Sequence, residues 1–163
     1  MNVYVDTSAA LKLWIDEPQA EAVRLALEDA RQVASSVLIR VEAASTLARL
    51  LRERRVSAAH VGVVQAEVDF HLTVIRVLEL NEHVIELAAQ LCAKHQLKSL
   101  DALHLATALI LRVLDPVPWV FMTFDLKLGR AASAEGLTVW PVVAPPPPGL
   151  REDRLSVWAA APR

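Results

Sequence analysis

Hydrophobic positions along this chain switch repeatedly between a period of two and a period near three and a half. Asn2–Asp6 (NVYVD) alternates around Val3 and Val5 and reads as a short strand. Thr7 or Ser8 stands where a helix cap belongs, ahead of a helix over Ala9–Trp14. Pro18 suits the first turn of a second helix that runs to about Ala30. Gln32–Ser35 reads as the next strand. Ser36 then caps a long helix to about Arg55, with Val37, Leu38, Val41, Ala44, Leu47, Ala48 and Leu51 at helical spacing. Ser57 caps a fourth helix to about His71, and the β-branched stretch Thr73–Leu80 leans towards an extended segment. Asn81 caps a helix over Glu82–His95, and Ser99 caps another to about Leu114, ended by Pro116 and Pro118. Trp119–Thr123 is a near-continuous apolar strand. Asp125 starts a short helix that stops before Gly136, and Leu137–Trp140 is a last strand closed by Pro141.

Strands that alternate with helices, and strands that are apolar on both sides, predict an α/β fold with a central parallel sheet flanked by helices on both faces. Ligands of such sheets lie in the crevice outside the carboxyl ends of the strands. Asp6 and Asp125 both fall at carboxyl ends. The periodicity stops at Ala144, where APPPPG can continue neither strand nor helix. The expected organisation is one domain over 1–143 and a proline-rich spacer with a C-terminal tail over 144–163, the tail carrying Trp158.

Composition narrows the class. The chain has 163 residues, 54% of them hydrophobic, and a mean hydropathy of +0.33. The longest apolar stretch, Ala102–Leu114, is broken by His104, Thr107 and Arg112, so no membrane span is expected. The apolar excess predicts a large core with a further buried surface, such as an oligomer or partner interface. One cysteine, Cys92, excludes an internal disulfide and a cysteine-based zinc knuckle. With no evident signal peptide, a cytoplasmic location is the expectation. The net charge of −2 and pI near 6.2 give no global nucleic-acid signature.

Four acids carry the candidate chemistry: Asp6 after the first strand, Glu42 early in the helical run SSVLIRVEAAS, Asp101 in SLDALHLATAL, and Asp125 after WVFMTFD. Each has a plain role open to it. Asp6 and Asp125 can cap helices, and Glu42 and Asp101 can sit on solvated faces. Those helices are apolar on most sides, however, and a lone buried carboxylate there would be costly. If the fold gathers the four, they repel one another and call for a cation. Carboxylates are hard oxygen ligands suited to Mg²⁺ or Mn²⁺, a chemistry able to activate water against a phosphodiester. No Ser–His–Asp or Cys–His arrangement competes with it.

The stretches VDTSAALKL, SSVLIRVEAAS, LKSLDALHLATAL and MTFDLKLGRAASAEGLTV, in that order and spacing, resemble the PIN-domain ribonucleases, and among them the VapC-type toxins of toxin–antitoxin pairs. The resemblance spans about Met1 to Val143. It implies a PIN-like fold and a Mg²⁺- or Mn²⁺-dependent endoribonuclease that hydrolyses RNA phosphodiesters. Asp6, Glu42, Asp101 and Asp125 would be its catalytic, metal-binding acids, and Ser8 and Thr123 polar supports beside them. It also implies a cognate antitoxin as partner and a homodimer. The alternative is a catalytically silent PIN-like module that binds RNA or protein. A haloacid-dehalogenase-type reading of VDTS fails because Ser8 stands where a second Asp is needed.

Around these, His104 lies one turn beyond Asp101 and is either packed or turned to the site. Lys98, Lys127 and Arg130 can meet phosphates or form a solvated rim. Arg49, Arg52, Arg54 and Arg55 crowd one helix end, where they complement its dipole and could contact RNA or an acidic partner. Trp14 and Trp119 read as core or interface residues.

Overall fold

Five parallel strands lie side by side in the order β3-β2-β1-β4-β5: β1 (Asn2–Val5), β2 (Gln32–Ser36), β3 (Arg76–Leu78), β4 (Trp119–Met122) and β5 (Thr138–Trp140). The computed structural model describes residues 1–15 and 18–141; the spacer and tail read at 144–163, with Trp158, lie outside the described residues. β1 is central, and the chain leaves it towards β2 and returns to its other side as β4. That reversal is the switch point at which doubly wound sheets open a crevice. The register Asn2↔Trp119 to Val5↔Met122 brings the two carboxyl ends level. The Asp6 amide extends the ladder to Met122 O at 3.1 Å. Residues 6 and 123 therefore emerge side by side.

Strand alternation divides the core in two. Val3, Val5 and Met122 face one way and pack with α1 (Thr7–Trp14), α2 (Ala20–Glu28), α3 (Leu38–Arg52) and α4 (Ala58–Val74). Tyr4, Ala34 and Phe121 face the other way and pack with α5 (Glu82–His95), α6 (Ser99–Leu114) and α7 (Leu126–Ala134). The α/β sheet covered on both faces is as the periodicity predicted. Among the described residues no helix is long and apolar enough to cross a membrane.

Several local expectations change. Asp6, not Thr7 or Ser8, caps α1, since its carboxylate accepts the Ala9 amide at 2.9 Å. Pro18 precedes α2, which starts only after Gln19 has turned through φ 75°. Ser36 ends β2, and the cap position of α3 falls on Val37 with no side-chain bond. Ser99 is already helical, and Lys98 takes the cap position. α4 continues to Val74 and takes the first two residues of the stretch read as extended, within which β3 occupies Arg76–Leu78. Ser57 and Asn81 cap α4 and α5 as expected, accepting the His60 and Val84 amides at 3.1 and 3.0 Å. The buried stripe of α3 is Ile39, Ala43, Leu47 and Leu50, so Val41 and Leu51 point outward. This helix is apolar beyond one face, and of the residues picked out by spacing Leu47 is buried while Val41, Ala44, Ala48 and Leu51 are exposed.

Leu105 is fully buried against the sheet. Leu105→Ala should cost about 2–5 kcal/mol of unfolding free energy in urea titration. Val63→Ser, on the exposed side of α4, should stay within about 0.5 kcal/mol.

Candidate active site

Asp6 is 3% exposed and sits at the end of the central strand. Its Oδ1 accepts from the Ala9 amide at 2.9 Å and from Ser8 Oγ at 2.8 Å. Its Oδ2 lies 2.9 Å from the same Ser8 hydroxyl and accepts from Thr123 Oγ1 at 2.7 Å. Ser8 Oγ in turn accepts from the Phe124 amide at 2.9 Å, and Thr123 Oγ1 from the Asp125 amide at 3.1 Å. The two hydroxyls therefore stitch the loop after β4 to the Asp6 carboxylate. Burial pushes the Asp6 carboxyl above its ordinary range; His104, the Ala9 amide and the Thr123 and Ser8 hydroxyls pull it back only in part.

Glu42 reaches in from α3, half-buried. Its Oε2 accepts from Thr7 Oγ1 at 2.5 Å and lies 2.7 Å from His104 Nε2. Burial works to raise this carboxyl, but the hydrogen bond and charge of His104 with the Thr7 hydroxyl outweigh it and leave Glu42 below the usual glutamate range. His104, 2% exposed, also meets Tyr4 Oη through Nδ1 at 3.1 Å.

Asp101 stands in the first turn of α6, where the helix dipole favours a negative charge. Even so, its carboxyl is raised, first by burial and then by Asp125. Lys98 opposes the shift, and Asp6 and Glu42 add to it. Asp101 thus senses all three other acids, and the fold brings the four sequence-selected carboxylates into one electrostatic cluster. Asp125 is exposed and caps α7, its Oδ1 accepting the Leu128 amide at 2.8 Å. It has the plain capping role and the electrostatic one together. The cluster is open: among the described residues no group of three or more acids, histidines or cysteines is placed to hold one ion.

The basic residues divide. Lys98 lies close enough to Asp101 to oppose its shift. Lys127 is tied back to Gln96 O at 2.5 Å. Arg130 buries its Nε without a partner among the described residues. In the arginine cluster, Arg49 and Arg55 approach Glu53 at 3.6 and 3.8 Å. Sequence reasoning passed over Thr7 and Tyr4. Thr7 was legible only as a cap, and Tyr4 only as a core residue, although the strand period puts it on the same side as Asp6.

Residues 3–134 match the PIN domain family. The chain belongs to that family. The PIN domain is similar to Ribonuclease VapC46 of Mycobacterium tuberculosis, 34% identical over 138 residues that cover 84% of this chain and 95% of that one. Its fold is similar to that in a toxin-antitoxin complex from Klebsiella pneumoniae, with a TM-score of 0.56 at 19% identity over 77% of this chain and 88% of that one. It is also similar to M. tuberculosis VapC20, a sarcin-ricin loop cleaving toxin, with a TM-score of 0.58 at 23% identity over 83% of this chain and 96% of that one. At these identities the two structures speak for the fold alone.

The raised carboxyls fix the sign of a pH effect. A folded state that holds these protons more tightly than the unfolded chain gains stability below the ordinary aspartate range and loses it as pH rises through the folded values of Asp6 and Asp101. Glu42, held low, acts in the opposite sense and loses its contribution as pH falls through its folded value. In excess chelator at neutral pH, Asp101→Asn should therefore raise the melting temperature of the PIN domain. Differential scanning calorimetry checks this, and a lower melting temperature would contradict the repulsion.

Proposed function

We propose that this PIN domain is a Mg²⁺- or Mn²⁺-dependent endoribonuclease, the toxin of a VapBC-type toxin–antitoxin pair, acting on RNA in the cytoplasm. The observation that carries this reading is the Asp101 carboxyl, raised by burial and by Asp125, Asp6 and Glu42. Asp101 is pushed up by the other three carboxylates of the crevice, and a divalent cation would relieve that repulsion.

The donor set fits such an ion. All four candidates offer oxygen, which suits a hard cation. The open arrangement fits as well, because Mg²⁺ keeps several waters and takes one or two carboxylates plus substrate phosphates rather than a closed protein cage. When bound, one or two such ions supply positive charge that polarises a water and the scissile phosphodiester. Asp6, clamped by Ser8, Thr123 and the Ala9 amide, offers a carboxylate with little freedom to rotate. Asp101 and Asp125 contribute the further acids, and Glu42 brings a carboxylate from the neighbouring helix. Lys98, beside Asp101, holds backbone phosphates of a bound strand.

The name of one relative supports the substrate: VapC46 is a ribonuclease. An antitoxin is the proposed partner, the kind of complex in which the Klebsiella protein of the same fold was found. Exposed apolar side chains along α4 (Val63, Phe70 and Val74) offer surface for that partner or for a second copy in a homodimer.

Asp6→Asn and Asp101→Asn should each lower RNA cleavage by more than about 100-fold, beyond the cost of losing a residue that merely orients a ligand. Circular dichroism should stay native. Full activity in either variant, or undiminished cleavage in excess EDTA, would sink the metal mechanism. RNA binding without cleavage at any Mg²⁺ or Mn²⁺ concentration would leave the silent binding module.

A further inference from the structure

Two hydrogen bonds hold the Glu42 carboxylate, from Thr7 at 2.5 Å and from His104 at 2.7 Å. Both fall on Oε2; among the described residues none falls on Oε1. The His104 ring is itself held. Tyr4 Oη lies 3.1 Å from Nδ1, and the Tyr4 ring meets the imidazole edge-on at 6.2 Å between centroids. Tyr4 stacks on Phe121 at 5.4 Å with the planes 7° apart, and Phe121 belongs to β4. Tyr4 and His104 are both at most 2% exposed.

An ionised Glu42 can only accept, so the His104 nitrogen facing it, Nε2, carries an N–H. Nδ1 pairs with the Tyr4 hydroxyl, accepting from it in the neutral ring or donating to it in the imidazolium. Both ring nitrogens are then engaged, which leaves His104 no lone pair for a metal. An imidazole in this setting orients a ligand instead.

We propose that Tyr4 and His104 form a buried positioning pair that fixes Glu42 by its Oε2 and reserves Oε1 as its single donor to the divalent cation. The proposal rests on the metal-dependent reading above. It assigns these two core residues a task in the site that their burial alone does not require. Without the Nε2–H, the glutamate keeps only the Thr7 bond and can rotate about its terminal torsion, so the donor is no longer preset.

Isothermal titration of the full chain with Mn²⁺ tests this. His104→Met should bind Mn²⁺ about tenfold more weakly than wild type, the scale of loss for residues that orient a ligand. His104→Gln, which keeps an N–H near the Nε2 position, should retain most of the affinity. Tyr4→Phe should fall between them. Wild-type affinity in a folded His104→Met protein would overturn the proposal, and so would an equal loss in His104→Gln, because that would trace the effect to packing. If His104→Met does not fold, Tyr4→Phe decides, and unchanged affinity there overturns it. The parent reading is tested separately. Wild-type protein that takes up no Mn²⁺ fails both, whereas Mn²⁺ uptake lost in Asp101→Asn but kept in His104→Met fails only the positioning pair.

Discussion

The Asp6 carboxylate is buried at the end of the central strand, and the arrangement around it follows from that burial. An ionised carboxyl in such a place is unfavourable unless its oxygens are satisfied. The first turn of α1 supplies the Ala9 amide and the Ser8 hydroxyl, and the loop after β4 supplies Thr123 from 117 residues away. The same two hydroxyls hold the backbone of Phe124 and Asp125. One charge thus joins a strand end, a helix start and the loop that leads into α7. The parallel register of β1 with β4 is what allows the join, because it brings the two strand ends level.

Around that anchor the other acids stand in different surroundings. Glu42 is kept below its ordinary range by His104 and Thr7, while Asp101 is pushed above its own by burial and by the other carboxylates. Acids that share one crevice with their affinities for protons driven apart are suited to distinct tasks. Glu42 remains charged over a wide pH range. Asp101 is the acid whose proton affinity the other three carboxylates raise, on top of its burial.

Much of this was legible in the sequence. Asp6 and Asp125 stand after apolar strands, and a parallel sheet puts its ligands at that edge. Asp101 was conspicuous as an acid in an otherwise apolar helix. The spacing of α3 was less informative, because Val41 and Leu51 are as apolar as Ile39 and Leu50 and only packing separates the two faces. The supporting network was harder still to read. Thr7, Tyr4 and His104 are residues whose usual roles are capping and core packing. Their meeting depends on α6 and α3, packed on opposite faces of the sheet, both reaching the end of β1, a three-dimensional fact with no local signature. Asp6 as the cap of α1 was hidden for a related reason: it ends a strand and begins a helix at once.

The strand order also has a consequence in time. β1 is made first, yet its second neighbour, β4, begins only at Trp119. A chain emerging from its amino end can form the β1–β2 pair early, but the other side of β1 stays open until most of the domain has been synthesised. Asp101 comes shortly before β4, and Thr123 and Asp125 follow it. A truncated product ending before them would carry Asp6 and Glu42 without the groups that complete the crevice. The order of the strands therefore means that a copy ending before Asp101 holds only two of the four crevice acids.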